Sequence, residues 1–192
     1  MDICGIDEAG RGPIAGPLVM AGVMFLMENG QCKMDNEYYK KLTDSKKLSA
    51  KKREELFEII KKNSIYHIVF IDNETIDKKG LSFAIKFGLK EIIKNIKAKS
   101  YLFDGNSNFG IKEIKPIIKG DLKIKEISAA SILAKVSRDR YMIEMDKIYP
   151  EYNFKKHKGY ITKEHIELIK KYGYSKIHRK SYKLKALNPT LF

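Results

Sequence analysis

Apolar residues recur along the chain with two periods, one typical of strands and one typical of helices. Short apolar runs bounded by Gly, Pro, Asn or Asp predict strands, and these lie at 2–7, 18–26, 65–71, 101–103 and 114–118. Longer segments with apolar residues three or four positions apart predict amphipathic helices, and these lie at 49–62, 75–96, 128–147 and 162–172. Ser49 is a suitable N-cap for the first helix, and Pro150 should end the third.

The order of these elements predicts the fold class. Strands that are separated by helices indicate an α/β layer fold. The connection between the first two strands is too short for a crossover helix, so these strands should be antiparallel and the sheet mixed. The chain has 192 residues, a length that one hydrophobic core can serve. We therefore expect residues 1–192 to form one α/β domain, with a basic helical region from about residue 150.

The charge balance favours a polyanionic partner. The chain carries 38 Lys and Arg against 24 Asp and Glu, a net charge of +14, which is typical of nucleic-acid-binding proteins. An anionic membrane surface is the alternative, although it usually requires one basic amphipathic helix; a lysine-rich genome is another. In residues 151–192, Lys and Arg outnumber Asp and Glu by eleven to three. This concentration favours a surface that contacts a nucleic-acid backbone.

Cysteine and histidine usage gives no sign of a zinc site. Cys4 and Cys32 lack the required spacing and indicate reduced thiols in a cytosolic protein. His157, His165 and His178 also lack a zinc pattern, and at least two of them should be surface or structural residues. The N-terminus has no signal-peptide pattern, and the longest apolar run is too short for a membrane span of roughly 20 residues. We expect a cytoplasmic, monomeric protein that has no membrane partner.

Carboxylates follow three of the predicted strands, where ligands of open α/β sheets gather. The four acids are Asp7, Glu8, Asp104 and Asp121. If the first and fourth strands are parallel neighbours, their acids share one cleft. Side chains alternate along a strand, so the first two acids can share a site only if the chain leaves β geometry there. Four converging carboxylates require cations, and oxygen ligands favour Mg²⁺ or Mn²⁺. For each acid alone, a solvated turn is the alternative.

Basic and glycine-rich segments supply candidate phosphate contacts. Gly10-Arg11-Gly12 combines close backbone approach with a planar guanidinium, and a flexible turn is the alternative. Ser45 and Lys46 begin a basic helix in our interpretation, and helix starts bind phosphate; a solvated basic face is the alternative. Tyr160 follows a basic run and could stack on a sugar or base, or it could serve packing.

These segments, in this order, resemble ribonuclease HII, the type 2 ribonuclease H family. They extend over nearly the whole chain, and their joint occurrence is highly specific. The matching segments are Asp-Glu-Ala-Gly-Arg-Gly-Pro at 7–13, Asp-Ser-Lys-Lys-Leu at 44–48, Phe-Asp-Gly-Asn at 103–106, Lys-Gly-Asp at 119–121, Ile-Ser-Ala-Ala-Ser-Ile-Leu-Ala-Lys at 127–135, His-Lys-Gly-Tyr at 157–160 and His-Arg at 178–179.

The resemblance implies a ribonuclease H-like mixed five-stranded sheet with flanking helices and a helical C-terminal region. It implies an endonuclease that cuts the RNA strand of RNA–DNA hybrids and cuts 5′ to single ribonucleotides in duplex DNA, leaving 3′-hydroxyl and 5′-phosphate ends. By the same resemblance the four acids ligate Mn²⁺ or Mg²⁺, while Gly10-Arg11-Gly12 and Tyr160 recognise the ribose 2′-hydroxyl. Segments 28–42 and 186–192 carry no matching motif.

Two points stay open at this level. The alternative function is that of a non-catalytic, basic protein that binds RNA or hybrids, with structural acids. The terminal Leu191-Phe192 suggests a tail that binds a sliding clamp, and a frayed chain end is the alternative.

Overall fold

The computed structural model describes residues 2–183, and its centre is a mixed five-stranded sheet. The Leu191-Phe192 tail lies outside the described residues. In chain order the strands of this sheet are β1 (Ile3–Ala9), β2 (Leu18–Phe25), β5 (Ser64–Ile71), β6 (Ser100–Asp104) and β7 (Ile114–Ile117), with a separate hairpin of β3 (Met27–Glu28) and β4 (Gln31–Cys32). The spatial order is β5-β2-β1-β6-β7.

The strand directions agree with the sequence prediction. β1 is antiparallel to β2 and parallel to β6, so the first and fourth predicted strands are parallel neighbours. The remaining pairs are β2 with β5, antiparallel, and β6 with β7, parallel. The sheet is therefore mixed, and the carboxyl ends of β1, β6 and β7 meet at one edge.

Seven α-helices accompany the strands in the described part of the chain. They are α1 (Asn36–Lys41), α2 (Ala50–Lys62), α3 (Asn73–Lys79), α4 (Leu81–Asn95), α5 (Lys125–Ile148), α6 (Phe154–His157) and α7 (Lys163–Tyr172). Short 3-10 turns occupy Ser45–Lys47, Gly120–Leu122 and Pro150–Tyr152. None of the helices between residues 2 and 183 has the length and apolar character that crossing a bilayer requires.

Helices cover both faces of the sheet because each face is apolar. On one face, α4 packs its apolar residues against Ile6 and Met20. On the other face, α2 and α5 cover Val19 and Ala21. Helix α5 lies directly on β1, since a Cβ atom at Gly5 would collide with the α5 backbone. This close contact places the middle of α5 beside the carboxyl end of β1.

Two sequence predictions about elements were wrong, and the structure also shows elements in a segment that the sequence did not assign. The single helix expected at 75–96 is two helices, because Gly80 has a φ of +83° and ends α3 before α4 begins. The unassigned segment 28–42 contains the hairpin and α1. Strand β1 does not end at Asp7 but continues to Ala9, and it is paired with β2 from Gly5 to Ala9.

The segment that follows α5 forms a third apolar cluster with the loop after β1. Ile14 and Ala15 of that loop pack against Phe154 and Ile169. His157, His165 and His178 are all buried within this region. Of the two alternatives that the sequence left open for them, surface or structural residues, their burial agrees with the structural one. The segment after α5 therefore packs against the loop after β1 and stabilises it.

Candidate active site

One cavity of about 550 Å³ lies at the carboxyl edge of the sheet. Asp7 and Glu8 enter it from β1, Asp104 from the end of β6, and Asp121 from the 3-10 turn after β7. The parallel pairing of β1 with β6 and of β6 with β7 explains this convergence. All ten predicted site residues line this cavity. The other six are Gly10, Arg11, Gly12, Ser45, Lys46 and Tyr160.

The two adjacent acids reach one site without the expected break in the strand. Ala9 still pairs with Val19 of β2, so β geometry persists beyond Glu8. The Asp7 carboxylate instead bends along its own strand and accepts the Glu8 N–H at 2.7 Å. The longer Glu8 side chain turns to Arg11, with 2.5 Å between Oε1 and Nε. Side-chain conformation at the end of the strand therefore replaces the backbone departure that we expected.

The carboxylates create a strongly unfavourable environment for negative charge. Burial raises the pKa of Asp7 well above its usual value, and the neighbouring carboxylates of Glu8, Asp104 and Asp121 raise it further. Burial also raises the pKa of Glu8, although the Arg11 guanidinium opposes the shift. The pKa of Asp121 is raised by burial and by Asp104. The cavity therefore favours groups that bring positive charge.

The donor set fits a divalent cation, although the present side-chain arrangement does not enclose one. Within residues 2–183, no group of three or more His, Cys, Asp or Glu side chains converges tightly enough to hold an ion. Protein donors occupy some carboxylate oxygens: the Gly120 N–H donates to Asp104 Oδ1 at 2.7 Å. Glu8 Oε2, in contrast, is buried without a hydrogen-bond partner. Oxygen-only ligands, mutual repulsion and this unpartnered oxygen all suit Mg²⁺ or Mn²⁺.

The glycine-rich loop after β1 presents backbone and guanidinium to the cavity. Gly10 has a φ of +101°, and a Cβ atom there would lie 2.6 Å from the Pro17 carbonyl oxygen and 2.7 Å from Arg138 Cδ. Only glycine suits this position. Gly12 is exposed and has open space beside it. The Arg11 guanidinium is partly exposed and lies 5.8 Å from the centre of the Phe103 ring.

The reasoning that singled out Ser45 and Lys46 was wrong in one respect. These residues do not begin the basic helix, because α2 starts at Ala50 and Ser49 caps it. They form a separate 3-10 turn, in which the Lys46 N–H donates to the Asp44 carboxylate at 2.9 Å. Both residues still line the cavity, and the Lys46 ammonium lies near enough to lower the pKa of Glu8 and Asp121.

Tyr160 and two residues of α5 form the opposite wall of the cavity. Tyr160 is exposed, and Lys135 Nζ lies 5.8 Å from the centre of its ring. Ser131, one helical turn before Lys135, has a buried hydroxyl without a hydrogen-bond partner. Sequence reasoning did not single out Ser131 or Lys135 as site residues. Their four-residue spacing on one face of a helix was the available signal, but it does not show which side of the helix faces a ligand.

Comparisons with known proteins agree with this architecture. A family model described as Ribonuclease HII matches residues 4–185. Ribonuclease HII of Aliarcobacter butzleri is 57% identical over 97% of this chain and 93% of that protein. Ribonuclease HII of a Sulfurovum species is 51% identical over 99% of this chain and 96% of that protein.

Solved structures give the same result for the fold. In the PCNA:RNase HII complex from Archaeoglobus fulgidus, a chain 28% identical to this one superposes with a TM-score of 0.79 over 96% of both chains. Bst-RNase HIII in complex with Mn²⁺ superposes with a TM-score of 0.64 at 15% identity, covering 90% of this chain and 63% of that one. The fold is thus ribonuclease H-like. This chain belongs to the ribonuclease HII family, whose members are metal-dependent endonucleases that act on RNA–DNA hybrids.

Proposed function

We propose that the protein cuts the RNA strand of RNA–DNA hybrids and also cuts duplex DNA on the 5′ side of a single embedded ribonucleotide. The observation that carries this proposal is the composition of one cavity. Four acids suited to a divalent cation lie beside a loop that offers backbone amides and a guanidinium, facing an exposed tyrosine. RNA differs from DNA by its 2′-hydroxyl, so a nuclease that selects ribonucleotides requires groups that contact this hydroxyl beside its metal ligands.

Each group of residues has a role in this proposal. Asp7, Glu8, Asp104 and Asp121 would hold Mg²⁺ or Mn²⁺. The bound cation supplies the positive charge that activates water and stabilises the leaving 3′ oxygen. Glu8 now forms an ion pair with Arg11. If Glu8 held the cation instead, the Arg11 guanidinium would be available for the scissile phosphate.

The remaining residues orient the substrate. The amides of the loop 10–12 and the Tyr160 ring would contact the ribose of the ribonucleotide. Lys46 offers positive charge to a neighbouring phosphate, and Ser45 beside it contributes to the same wall. Water in line with the scissile bond would then leave a 3′-hydroxyl and a 5′-phosphate.

The test uses a labelled DNA duplex that contains one ribonucleotide. The protein should nick this duplex 5′ to the ribonucleotide with Mn²⁺ or Mg²⁺, and no nick should form in EDTA. Asp7→Asn should reduce the rate by at least about a hundredfold, because it removes a charged ligand without changing side-chain volume. Asp2→Asn is the matched control, since Asp2 is exposed at the other end of the sheet.

Two results would contradict the proposal. Retention of full activity by Asp7→Asn would exclude the acids as metal ligands. Salt-sensitive binding without a nick in either metal would instead support the non-catalytic binding protein. The same EDTA and metal series distinguishes these outcomes.

The choice of metal, binding to a sliding clamp and a cytoplasmic location belong to this proposal as well. The oxygen ligands suit Mn²⁺ and Mg²⁺ alike, and the Mn²⁺ complex reported for Bst-RNase HIII makes Mn²⁺ the first ion to test. The Archaeoglobus fulgidus relative forms a complex with PCNA. A pull-down with purified sliding clamp tests the same association for this protein.

A further inference from the structure

Two arginines are fully buried behind the cavity, and both bind backbone carbonyl groups. Neither Arg138 nor Arg179 forms an ion pair with a carboxylate in residues 2–183. Arg138 donates to the carbonyl oxygens of Pro17, Ala15 and Lys158 at 2.9–3.0 Å. Burial of a cation without an anion is unfavourable. Because the fold keeps both cations buried despite this cost, the arrangement indicates that the fold requires the bound backbone carbonyl groups to stay in one position.

Arg179 binds the glycine-rich loop directly. Its Nε donates to the Gly16 carbonyl oxygen at 2.9 Å, and its Nη1 donates to the Arg11 carbonyl oxygen at 3.1 Å. The Tyr182 hydroxyl donates to the same Arg11 oxygen at 2.7 Å. Arg179 Nη1 also contacts the Tyr182 hydroxyl at 3.0 Å, so the two side chains hold each other. The Arg11 carbonyl is thus fixed toward the interior by two donors.

The direction of this carbonyl determines the direction of the next amide. No peptide bond in the described chain is cis, and in a trans peptide the C=O and the following N–H point in opposite directions. Because the Arg11 C=O points inward, the Gly12 N–H points outward. Gly12 is exposed, lines the cavity and has no atom within 4 Å of a Cβ position. This leaves room for a ligand oxygen beside the amide.

The contacts of Arg138 have a different consequence. The amide that follows its Ala15 partner, the Gly16 N–H, donates to the Ile177 carbonyl oxygen at 2.9 Å and faces the interior. The amide after its Lys158 partner, the Gly159 N–H, donates to His157 Nδ1 at 3.2 Å. Of the two arginines, Arg179 is therefore the one that fixes a cavity-facing amide.

We propose that Arg179 and Tyr182 are positioning residues that direct the Gly12 N–H at the 2′-oxygen of the bound ribonucleotide. This inference rests on the proposed function, because it assigns the residues that give the proposed nuclease activity its selectivity for RNA. A preorganised donor contributes to recognition without a further change of conformation. Without these two donors, the Arg11–Gly12 peptide can rotate and the amide no longer faces the ribose.

The test compares binding of two duplexes in EDTA, one with a single ribonucleotide and one of DNA alone. Tyr182→Phe should lower the preference for the ribonucleotide by about two- to tenfold, the contribution of one hydrogen bond. Arg179→Lys should lower it at least as much. Tyr141→Phe is the control, because that hydroxyl is not bonded to the loop. With Mn²⁺, kcat/KM for the nick should decrease in the same proportion.

A purely structural role predicts a different result. In that case the variants melt at lower temperature, but the folded fraction keeps the preference of the original protein. Tyr182→Phe removes a single hydroxyl, so it should fold even if Arg179→Lys does not. Unchanged preference in folded Tyr182→Phe overturns the inference. If the unmodified protein itself does not distinguish the two duplexes, the proposed function fails instead, and the two failures are separate.

Discussion

The buried histidines should make the protein less stable as the pH falls from 7 to 5. His165 Nδ1 faces the Tyr160 carbonyl oxygen at 2.9 Å and must donate to it, so His165 Nε2 accepts from His178 Nε2 at 3.0 Å. His178 Nδ1 then accepts both from the Ser175 N–H and from its hydroxyl, at 2.8 and 2.7 Å. A proton added to either ring therefore meets another donor.

The size of the effect follows from the pKa shifts. Burial lowers the pKa of His165 to about 4 and that of His178 to about 3, from an ordinary value of 6.5. Below pH 6.5 the unfolded chain binds protons that the folded protein excludes, so stability is complete above pH 6.5 and decreases toward pH 4. At pH 5 each histidine contributes a loss of about 2 kcal/mol. About 4 kcal/mol is an upper limit, because the two rings share a hydrogen bond.

Other groups facing the cluster modify this dependence. The rings of Tyr152, Phe154 and Tyr174 surround it. Burial lowers the pKa of the adjacent His157 as well, although the Tyr152 carbonyl group and the carboxylates of Glu164 and Asp146 oppose this shift and Lys156 adds to it. At the carboxyl edge of the sheet the sign is opposite. Burial raises the pKa of Asp7 and Glu8, so protonation of these acids stabilises the folded state at low pH. A comparison of variants separates the two contributions.

The assay is urea unfolding at pH 7, 6 and 5 at constant ionic strength. His178→Gln should be less stable at pH 7, because it loses hydrogen bonds, but its stability should decrease by about 2 kcal/mol less between pH 7 and 5. His67→Gln, on the edge strand β5 and outside the cluster, is the control for the substitution itself. Equal slopes for His178→Gln and the unmodified protein would refute the reasoning.

Three further predictions concern the cavity and the chain turns. In EDTA, Asp7→Asn should melt at a higher temperature than the unmodified protein, because it removes repulsion among the carboxylates. In saturating Mn²⁺ it should melt at a lower temperature, because it binds the ion less tightly. A melting temperature that shifts in the same direction in both conditions would contradict this. Gly10→Ala should destabilise the fold by about 2 kcal/mol or more and slow the nick, because its Cβ meets Arg138 and the backbone. Gly80→Ala should cost about 1–3 kcal/mol in urea unfolding, because a φ of +83° with a ψ of 161° suits only glycine although the space around it is open, and activity should not change.

The strand ends were the part of the site that could be predicted from the sequence. Asp7, Glu8 and Asp104 follow apolar runs that only a sheet explains, and parallel neighbours bring such ends together. Ser131 and Lys135 could not be assigned in this way, because α5 is buried on several sides and its apolar pattern does not reveal which face meets the cavity. The break at Gly80 was missed because the helical period continues across it.

The histidine cluster shows a second limit of sequence reasoning. His157, His165 and His178 come from three separate segments, and their rings meet only after α6 and α7 pack against the residues near 178. No local periodicity of apolar residues in the sequence predicts such a contact. The same holds for Arg179 and the Arg11 carbonyl, which are 168 positions apart in the sequence. Contacts of this kind determine how the cavity is shaped, whereas local patterns determine which residues are available for it.

Under the proposed function, the distribution of charge would give the metal a second role besides chemistry. The protein carries a net charge of +14, which attracts a nucleic acid to its surface, yet the cavity contains four carboxylates. A scissile phosphate that enters this cavity meets negative charge unless a cation lies between them. Binding of the duplex along the basic surface, including contact of its ribonucleotide with the loop 10–12, should therefore not require metal, whereas the final approach of the scissile phosphate to the acids should. Metal dependence of cleavage then reflects the final approach of the phosphate as well as activation of water.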